Sequence, residues 1–175
     1  MRSSVQILLF LSVLSSVSAV AAPVVVSVCG ADELTPTGLT VHRGERWNIE
    51  VIGSSPTCEN GKHGDPLGRL KPCDRPDCAL WADGTRLDPV PPTGWEKWYI
   101  RPFNYKKRVR SAHWYELTGA VGTPARQTFA IGARTPANKP VTIDADGELY
   151  LFANDAPGRY GNNYGALRVR ITRAE

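Results

Sequence analysis

Residues 154–163, with the sequence NDAPGRYGNN, carry the side chains whose types and spacing best suit metal chemistry in this chain. Asp155, Asn162 and Asn163 place one carboxylate and two carboxamides within nine residues, on a turn built from Pro and Gly. Such a turn offers hard oxygen ligands from side chains and from free backbone carbonyls, which is the donor type that calcium prefers. Asp, Asn, Gly and Pro also dominate ordinary turns, so a polar loop that only connects two strands is the alternative.

The elements that must position this turn are two apolar runs, residues 149–152 before it and residues 167–171 after it. In the second run, apolar residues alternate with Arg168 and Arg170, which is the period-two pattern of a half-buried antiparallel strand. The same alternation upstream places Trp47, Ile49 and Val51 on one face of a strand. We therefore expect the turn to join two antiparallel strands.

The composition predicts an all-β fold. The chain has 175 residues with 16 Gly and 14 Pro, which implies many turns and favours short strands over long helices. The short apolar runs show no βαβ spacing, internal repeat or coiled-coil heptad, so we expect a β-sandwich or jelly roll. Residues 144–147, with the sequence DADG, look like the start of a calcium loop but lack the ligands that should follow, and we interpret them as a turn.

The chain begins like an exported protein. Residues 1–21 combine Arg2, an apolar run and small residues, which is the pattern of a secretory signal peptide cleaved after Ala19 or Ala21. Residues 22–175 are long enough for one domain with a core, and no second long apolar run predicts a membrane span. In an exported chain four cysteines indicate two disulfides, with three pairings open: Cys29, Cys58, Cys73 and Cys78.

A basic and aromatic stretch lies in the middle of the chain. Between residues 95 and 114, Lys and Arg alternate with Trp, Tyr and Phe, a composition found at surfaces for nucleic acid, acidic polysaccharide or membranes. Export makes nucleic acid the least expected of these partners. We interpret the stretch as an inserted loop that covers the sandwich, with its aromatic rings inward and its charges in solvent.

The C-terminal turn resembles the signature of the PA-IL-type galactose-binding lectins, in which an Asn-Asp pair and Pro-Gly precede Tyr-Gly-Asn-Asn-x-Gly. The matching positions here are 154–155, 157–158, 160–163 and Gly165. Looser matches run through residues 37–53, like the first hairpin of that family, and through residues 117–122 to 129–132. Together they cover most of the chain except the middle, and residues 79–116 read as an insertion.

The resemblance implies a galactose-binding-domain-like β-sandwich that holds sugar through a bound Ca2+. It implies that the Asp155 carboxylate ligates the ion and accepts a hydrogen bond from a sugar hydroxyl, and that the backbone at Ala156 packs near the sugar. Asn162 and Asn163 supply side-chain oxygens to the ion, and Asn162 also touches sugar. The backbone carbonyl of Arg159 is a further ligand, and counting along the first hairpin places another carbonyl near Thr57.

One family feature is missing. The sugar-contacting loop of the family carries His-Pro-x-Gln, and the nearest counterpart here, residues 75–78 with the sequence RPDC, keeps only the proline. This departure leaves the identity of the sugar open. The insertion could supply Trp95, Trp98 or Trp114 as a stacking platform over the site, since aromatic faces pack on the apolar side of galactose.

These observations predict a secreted or periplasmic, non-enzymatic, calcium-dependent lectin for galactosides or related glycans. No nucleophile elbow, zinc-protease motif or phosphate-binding glycine loop is present. Family members are multivalent through oligomerisation, so a homo-oligomer is expected unless the insertion blocks the same contacts. The alternatives are a structural or protein-binding sandwich without sugar binding, and a secreted glycan-active enzyme.

Overall fold

The computed structural model describes residues 22–84, 88–132 and 139–175, and the segment predicted as a signal peptide lies outside these ranges. The described residues form β-strands and short 3-10 helices, with no α-helix among them. The strands are β1 (Val24–Cys29), β2 (Thr35–Val41), β3 (Arg46–Ser55), β4 (Trp81–Asp83), β5 (Asp88–Val90), β6 (Thr93–Trp95), β7 (Trp114–Val121), β8 (Gln127–Ala130), β9 (Val141–Thr142), β10 (Gly147–Ala153) and β11 (Ala166–Arg173). The 3-10 helices span Glu59–Gly61, Pro76–Cys78, Trp98–Lys106 and Tyr160–Asn162.

The strands build an antiparallel β-sandwich, as predicted. One sheet has the order β1-β11-β3-β9, and the second has the order β2-β10-β7-β6 with β8 also paired to β7. Strands β4 and β5 pair with each other in a separate two-stranded antiparallel sheet. Strands β10 and β11 are consecutive along the chain but belong to different sheets. Residues 154–165 therefore cross from one layer of the sandwich to the other.

The core lies between the two layers, and the predicted alternation is confirmed. Trp47, Ile49 and Val51 are buried on β3, while the residues between them are half-buried. On β11 the apolar residues are fully buried and Arg168 and Arg170 are exposed. The core combines residues of both sheets, including Val28, Val41, Leu117, Leu149, Leu151, Phe152, Leu167, Val169 and Ile171.

Two disulfides fix the loops between β1 and β4. Cys29 at the end of β1 is bonded to Cys58, and Cys73 is bonded to Cys78 across the 3-10 helix Pro76–Cys78. This result selects one of the three pairings that the sequence left open. The first bond ties the segment after β3 to the end of β1. The second lies in a segment that packs along β3, since Cys73 forms a β-bridge with Ser54 of that strand.

The middle of the chain carries its own secondary structure. Strands β4, β5 and β6 and the 3-10 helix Trp98–Lys106 all precede β7. Residues 144–146 of the sequence DADG lie between β9 and β10, and Gly147 begins β10, which agrees with the interpretation of this sequence as a turn. No helix in the described ranges has the length and apolar character needed to cross a membrane.

Candidate functional site

The segment 154–165 is held in place by buried contacts at its start and in its middle. The Asp155 N–H donates to the Tyr160 hydroxyl at 3.3 Å, and the Asp155 carbonyl accepts a hydrogen bond of 3.1 Å from the Arg108 N–H. The Glu33 carboxylate accepts from the Gly158 N–H at 3.0 Å. Burial raises the pKa of Tyr160, so this hydroxyl stays neutral and fixes the path of the loop.

The loop delivers two of its predicted ligands to one point. Asp155 Oδ2 lies 3.0 Å from the hydroxyl oxygen of Tyr115, and Asn163 Oδ1 lies 3.1 Å from the same oxygen. A third oxygen, Asp83 Oδ1, lies 3.0 Å from it on another side. All four residues are buried. Two carboxylates, a carboxamide and a phenol from distant parts of the chain thus share one small volume.

The orientation of the Asn163 amide follows from its hydrogen bonds. Its Nδ2 group donates to the Gly30 carbonyl at 3.0 Å and to Asp155 Oδ2 at 3.1 Å, which uses both of its hydrogens. A flipped amide would place its oxygen against two acceptors, so the orientation with Oδ1 toward Tyr115 is the consistent one.

The hydroxyl of Tyr115 has one hydrogen and faces three acceptor atoms. It can donate to one of them at a time, so the other two oxygens approach the phenol oxygen with no hydrogen between them. Oxygen contacts of this kind are unfavourable in a buried site unless a positive charge or an additional proton is supplied. Among these contacts, one hydroxyl hydrogen serves three acceptor oxygens.

The burial of Asp155 and its closeness to Asp83 both affect its protonation. Burial raises the pKa of the Asp155 carboxyl, and the nearby Asp83 raises it further. The N–H of Ala156, the amide of Asn163 and the hydroxyl of Tyr115 oppose this shift without cancelling it. Burial and the charges of the same two carboxylates also hold the pKa of Tyr115 far above its usual range. The site thus favours the neutral phenol and disfavours the ionised Asp155.

Asp83 reaches the cluster because strand β4 packs beside the loop. The indole N–H of Trp81 donates to the Tyr115 carbonyl at 3.1 Å, and Ala82 forms a β-bridge with Tyr164. Gly84 then passes so close to the loop that a Cβ there would lie 1.6 Å from the Asn162 carbonyl oxygen. Only glycine fits this approach.

A cavity of about 200 Å³ opens onto the cluster. Asp83, Tyr115 and Asp155 lie on its wall with four large apolar side chains: Trp95, Tyr99, Ile100 and Trp114. Trp95 stacks on Tyr115 with ring centroids 6.2 Å apart and planes 11° from parallel. A second cavity of about 120 Å³ shares Asp83 and Trp95 with the first. Aromatic walls beside convergent polar groups are the usual make-up of a small-molecule site.

The other sequence-predicted residues occupy different positions around this centre. The N–H of Ala156 donates to Asp155 Oδ1 at 2.6 Å, and Asn162 and Arg159 are exposed on the loop. Thr57 lines a separate cavity with Ser55, Cys58, Glu59 and Arg168 that does not include Asp155. The ligand roles of Thr57, Arg159 and Asn162 stay predictions, as does the sugar contact at Ala156.

Asp83 and Tyr115 are the residues that sequence reasoning missed. Asp83 ends one strand and Tyr115 lies within another. Nothing in the sequence around either residue indicates that its side chain belongs to a binding site. The predicted stacking platform divides in two, because Trp95 and Trp114 line the cavity whereas Trp98 is exposed. The interpretation that the aromatic rings of this region point inward therefore holds for only part of the region.

The described residues contain no group of three or more His, Cys, Asp or Glu side chains that could hold a metal ion. The centre at Tyr115 is a different kind of site, in which carboxamide and carboxylate oxygens are combined. Calcium accepts such mixed oxygen sets, including carboxamide and backbone carbonyl ligands. The donor types present therefore fit calcium. A larger cavity of about 580 Å³ lies beside β1 and β2 and includes none of the predicted site residues.

No protein-family model matches the chain, and no curated protein matches it. A solved structure described as "EclA N-terminal domain; PllA-like lectin" aligns with 86% of this chain and 95% of its own, at 17% sequence identity and a TM-score of 0.49. Similarity at this level does not assign the chain to a family.

Proposed function

We propose that this protein is a secreted, non-enzymatic, calcium-dependent carbohydrate-binding protein for galactose-type sugars. The observation that carries the proposal is the convergence of Asp83, Asp155 and Asn163 oxygens on one buried point beside an aromatic cavity. The donor types suit calcium, and two carboxylates that contact the same hydroxyl oxygen would favour a cation beside them.

The side-chain oxygens of Asp155 and Asn163 would hold the ion, with Asp83 as a second carboxylate close by. Asn162 and the carbonyl of Arg159 would complete the set that the C-terminal motif implies, and the loop after the first hairpin would add a carbonyl near Thr57. When bound, calcium supplies positive charge and open coordination positions that a pair of sugar hydroxyls can fill. Those positions would face the cavity that Asp155 lines, because Asp155 and Asn163 are otherwise buried from solvent.

The cavity walls would select the sugar. Trp114 offers apolar surface beside the oxygens, and the apolar face of galactose packs well on aromatic rings. The Trp95 ring has Tyr115 stacked on it and the Lys97 ammonium 5.5 Å from its centroid, so it would bound the cavity by its edge. Trp95 is already fixed by its stacking on Tyr115, so little side-chain entropy would be lost when a sugar binds. Two disulfides and a signal-like N-terminus support export, where calcium is abundant.

Thermal unfolding tests the proposal with the wild type and Asp155→Asn in EDTA, in calcium, and in calcium with galactose. A ligand that binds only the folded state at 100 times its Kd stabilises it by about 2.7 kcal/mol, a shift of roughly 5–10 °C for a domain of this size. We expect a rise with calcium, a further rise with galactose, and neither rise in Asp155→Asn. Asp144→Asn, an exposed carboxylate in another turn, should respond like the wild type.

A second function is favoured by one specific observation. The Tyr115 hydroxyl already lies between the three oxygens and can join them without an ion. In a structural or protein-binding sandwich, this hydroxyl would link β7 to the C-terminal loop and to β4, and no ion would be needed. Well-folded wild-type protein that responds to neither calcium nor galactose would support this second function and contradict the lectin. A response to calcium alone would retain the ion site and exclude galactose as its sugar.

A further inference from the structure

The 3-10 helix Trp98–Lys106 places large aromatic side chains in solvent. Trp98 is 80% exposed, Tyr105 is 64% exposed and Phe103 is 47% exposed. Elsewhere in the described ranges, the only other exposed large apolar side chains are Val25 and Leu67, which are far apart in the sequence. A cluster of exposed rings on one short segment is the kind of surface that marks an interaction site.

This segment is anchored to the sandwich rather than loosely attached. Asn104 Oδ1 accepts a hydrogen bond of 2.9 Å from the Trp114 indole, and Tyr99 and Ile100 line the cavity at Asp155. Immediately after the segment, the buried Lys107 ammonium donates to the Ala112 carbonyl and lies 3.4 Å from the Glu96 carboxylate. The inner residues hold the segment, so its outer rings are presented to solvent by a fixed backbone.

The segment itself carries only positive charges. Residues 97–115 contain no Asp or Glu. Lys107 and Arg108 are used in ion pairs with Glu96 and Glu33, whereas Arg101 and Lys106 are exposed and form no ion pair within the described ranges. Exposed cations interleaved with Trp, Tyr and Phe complement a surface that is anionic at its exterior and apolar beneath.

The arrangement of the rings separates a bilayer from a glycan as the partner. The Lys106 ammonium lies over the rings of Phe103 and Tyr105, at 5.4 and 5.8 Å from their centroids. A sugar stacks on a ring face, and the ammonium covers one face of each of these two rings, which leaves less ring surface for a sugar. Insertion into a lipid headgroup region needs only apolar ring edges with a cation beside them.

We propose that Trp98, Phe103 and Tyr105, with Arg101 and Lys106, form a docking surface for an anionic phospholipid bilayer. The rings enter the headgroup region, and the two cations stay with the lipid phosphates. Since Tyr99 and Ile100 of the same segment line the cavity, docking would hold the candidate sugar site beside the membrane surface.

Co-sedimentation with vesicles tests this proposal in EDTA and without sugar, so that the candidate calcium site takes no part. Vesicles of phosphatidylcholine alone are compared with a roughly two-to-one mixture of phosphatidylcholine and phosphatidylglycerol. We expect the protein to bind the anionic vesicles at least about tenfold more strongly, with weaker binding at high salt. Asp155→Asn should bind the vesicles like the wild type, which separates this proposal from the proposed function.

Paired variants locate the surface. Trp98→Ala with Phe103→Ala should lose at least about tenfold in vesicle affinity, since both rings are exposed and their removal leaves the core intact. Arg101→Glu with Lys106→Glu should lose about fivefold for each cation removed. The matched controls are Leu67→Ala for exposed apolar area and Lys62→Glu with Lys71→Glu for exposed charge, and these should bind like the wild type.

Three results would overturn the proposal. The wild type could fail to sediment with anionic vesicles, or the controls could lose as much binding as the paired variants. Retained binding after removal of both rings would show general charge attraction instead of docking by this surface. Binding to soluble polygalacturonate without binding to vesicles would assign the surface to an acidic glycan.

Discussion

The side-chain amide of Asn154 pairs with the backbone of Val109 through two hydrogen bonds of 2.9 Å, one accepted from the Val109 N–H and one donated to its carbonyl. The same amide donates to the His113 carbonyl at 2.9 Å, and Asn154 is completely buried. The first residue of the C-terminal motif is thus the residue that fastens the segment before β7 to the loop carrying Asp155.

Asn154→Ala should destabilise the fold by about 3 kcal/mol, because it removes the hydrogen bonds of a buried side chain to Val109, Ala112 and His113 and leaves their backbone groups unpaired. Urea denaturation measures the change as a lower midpoint with the slope retained. Asn48→Ala on the outer face of β3 is the control and should change the free energy of unfolding by under about 0.5 kcal/mol. An Asn154 variant as stable as this control would show that the pairing is not needed.

Tyr115→Phe removes the hydroxyl at the centre of the oxygen cluster and keeps the ring that stacks on Trp95. In EDTA we expect a loss of about 2 kcal/mol, the contribution of a hydrogen bond to a charged group. In saturating calcium the loss should be smaller, because the ion then supplies the positive charge that the carboxylates need. Denaturant titrations under both conditions give the two values, with Tyr150→Phe as the control for a hydroxyl that donates to a carboxylate elsewhere. Equal losses with and without calcium would contradict an ion at this point.

Gly84→Ala should disturb the loop from the side of β4. The new Cβ would lie 1.6 Å from the Asn162 carbonyl oxygen, so one of the two backbones must move, at a cost of at least about 2 kcal/mol. The expected result is a less stable protein with a weaker thermal response to calcium. Gly161→Ala on the same loop has no atom within 4 Å of its added Cβ and should leave both quantities unchanged. Identical behaviour of the two variants would mean that the approach of Gly84 does not position the loop.

Asp65 makes stability depend on pH. Burial alone would raise the pKa of its carboxyl, but the N–H groups of Leu70, Leu67 and Arg69 outweigh burial and lower the pKa. A carboxyl whose pKa is lower in the folded state than in the unfolded chain stabilises the fold above the unfolded-state pKa of about 4. This stabilisation is lost as the pH falls through the pKa of the folded state. Asp65→Asn should therefore be less stable than the wild type by about 1 kcal/mol at neutral pH.

The stability difference between Asp65→Asn and the wild type should shrink below about pH 4, where the wild-type carboxyl takes up its proton. Urea denaturation across the acid range measures this difference. Asp77→Asn, an exposed carboxylate on the 3-10 helix Pro76–Cys78, is the matched control. A difference that stays constant to low pH would show that charge plays no part in the Asp65 loop.

The sandwich and the position of the loop could be predicted from the sequence, because both depend on local patterns. Burial on alternate residues is a property of each strand by itself, so the faces of β3 and β11 were recognisable without knowledge of their partners. The spacing of Asp155 and Asn163 likewise predicted that they lie on one turn, and the structure brings both to the same hydroxyl.

Local patterns could not predict that Asp83 and Tyr115 belong to the site. They lie 32 residues apart, and Tyr115 is 40 residues from Asp155 and 48 from Asn163, so only long-range packing brings them together. The disulfide pairing was undetermined for the same reason, since four cysteines fix no distances by themselves. The sequence determined the strands, the turn and its oxygen-rich chemistry. Tertiary structure alone decided which carboxylate, phenol and aromatic rings surround that turn, because those contacts arise from the packing of β4, β6 and β7 against it.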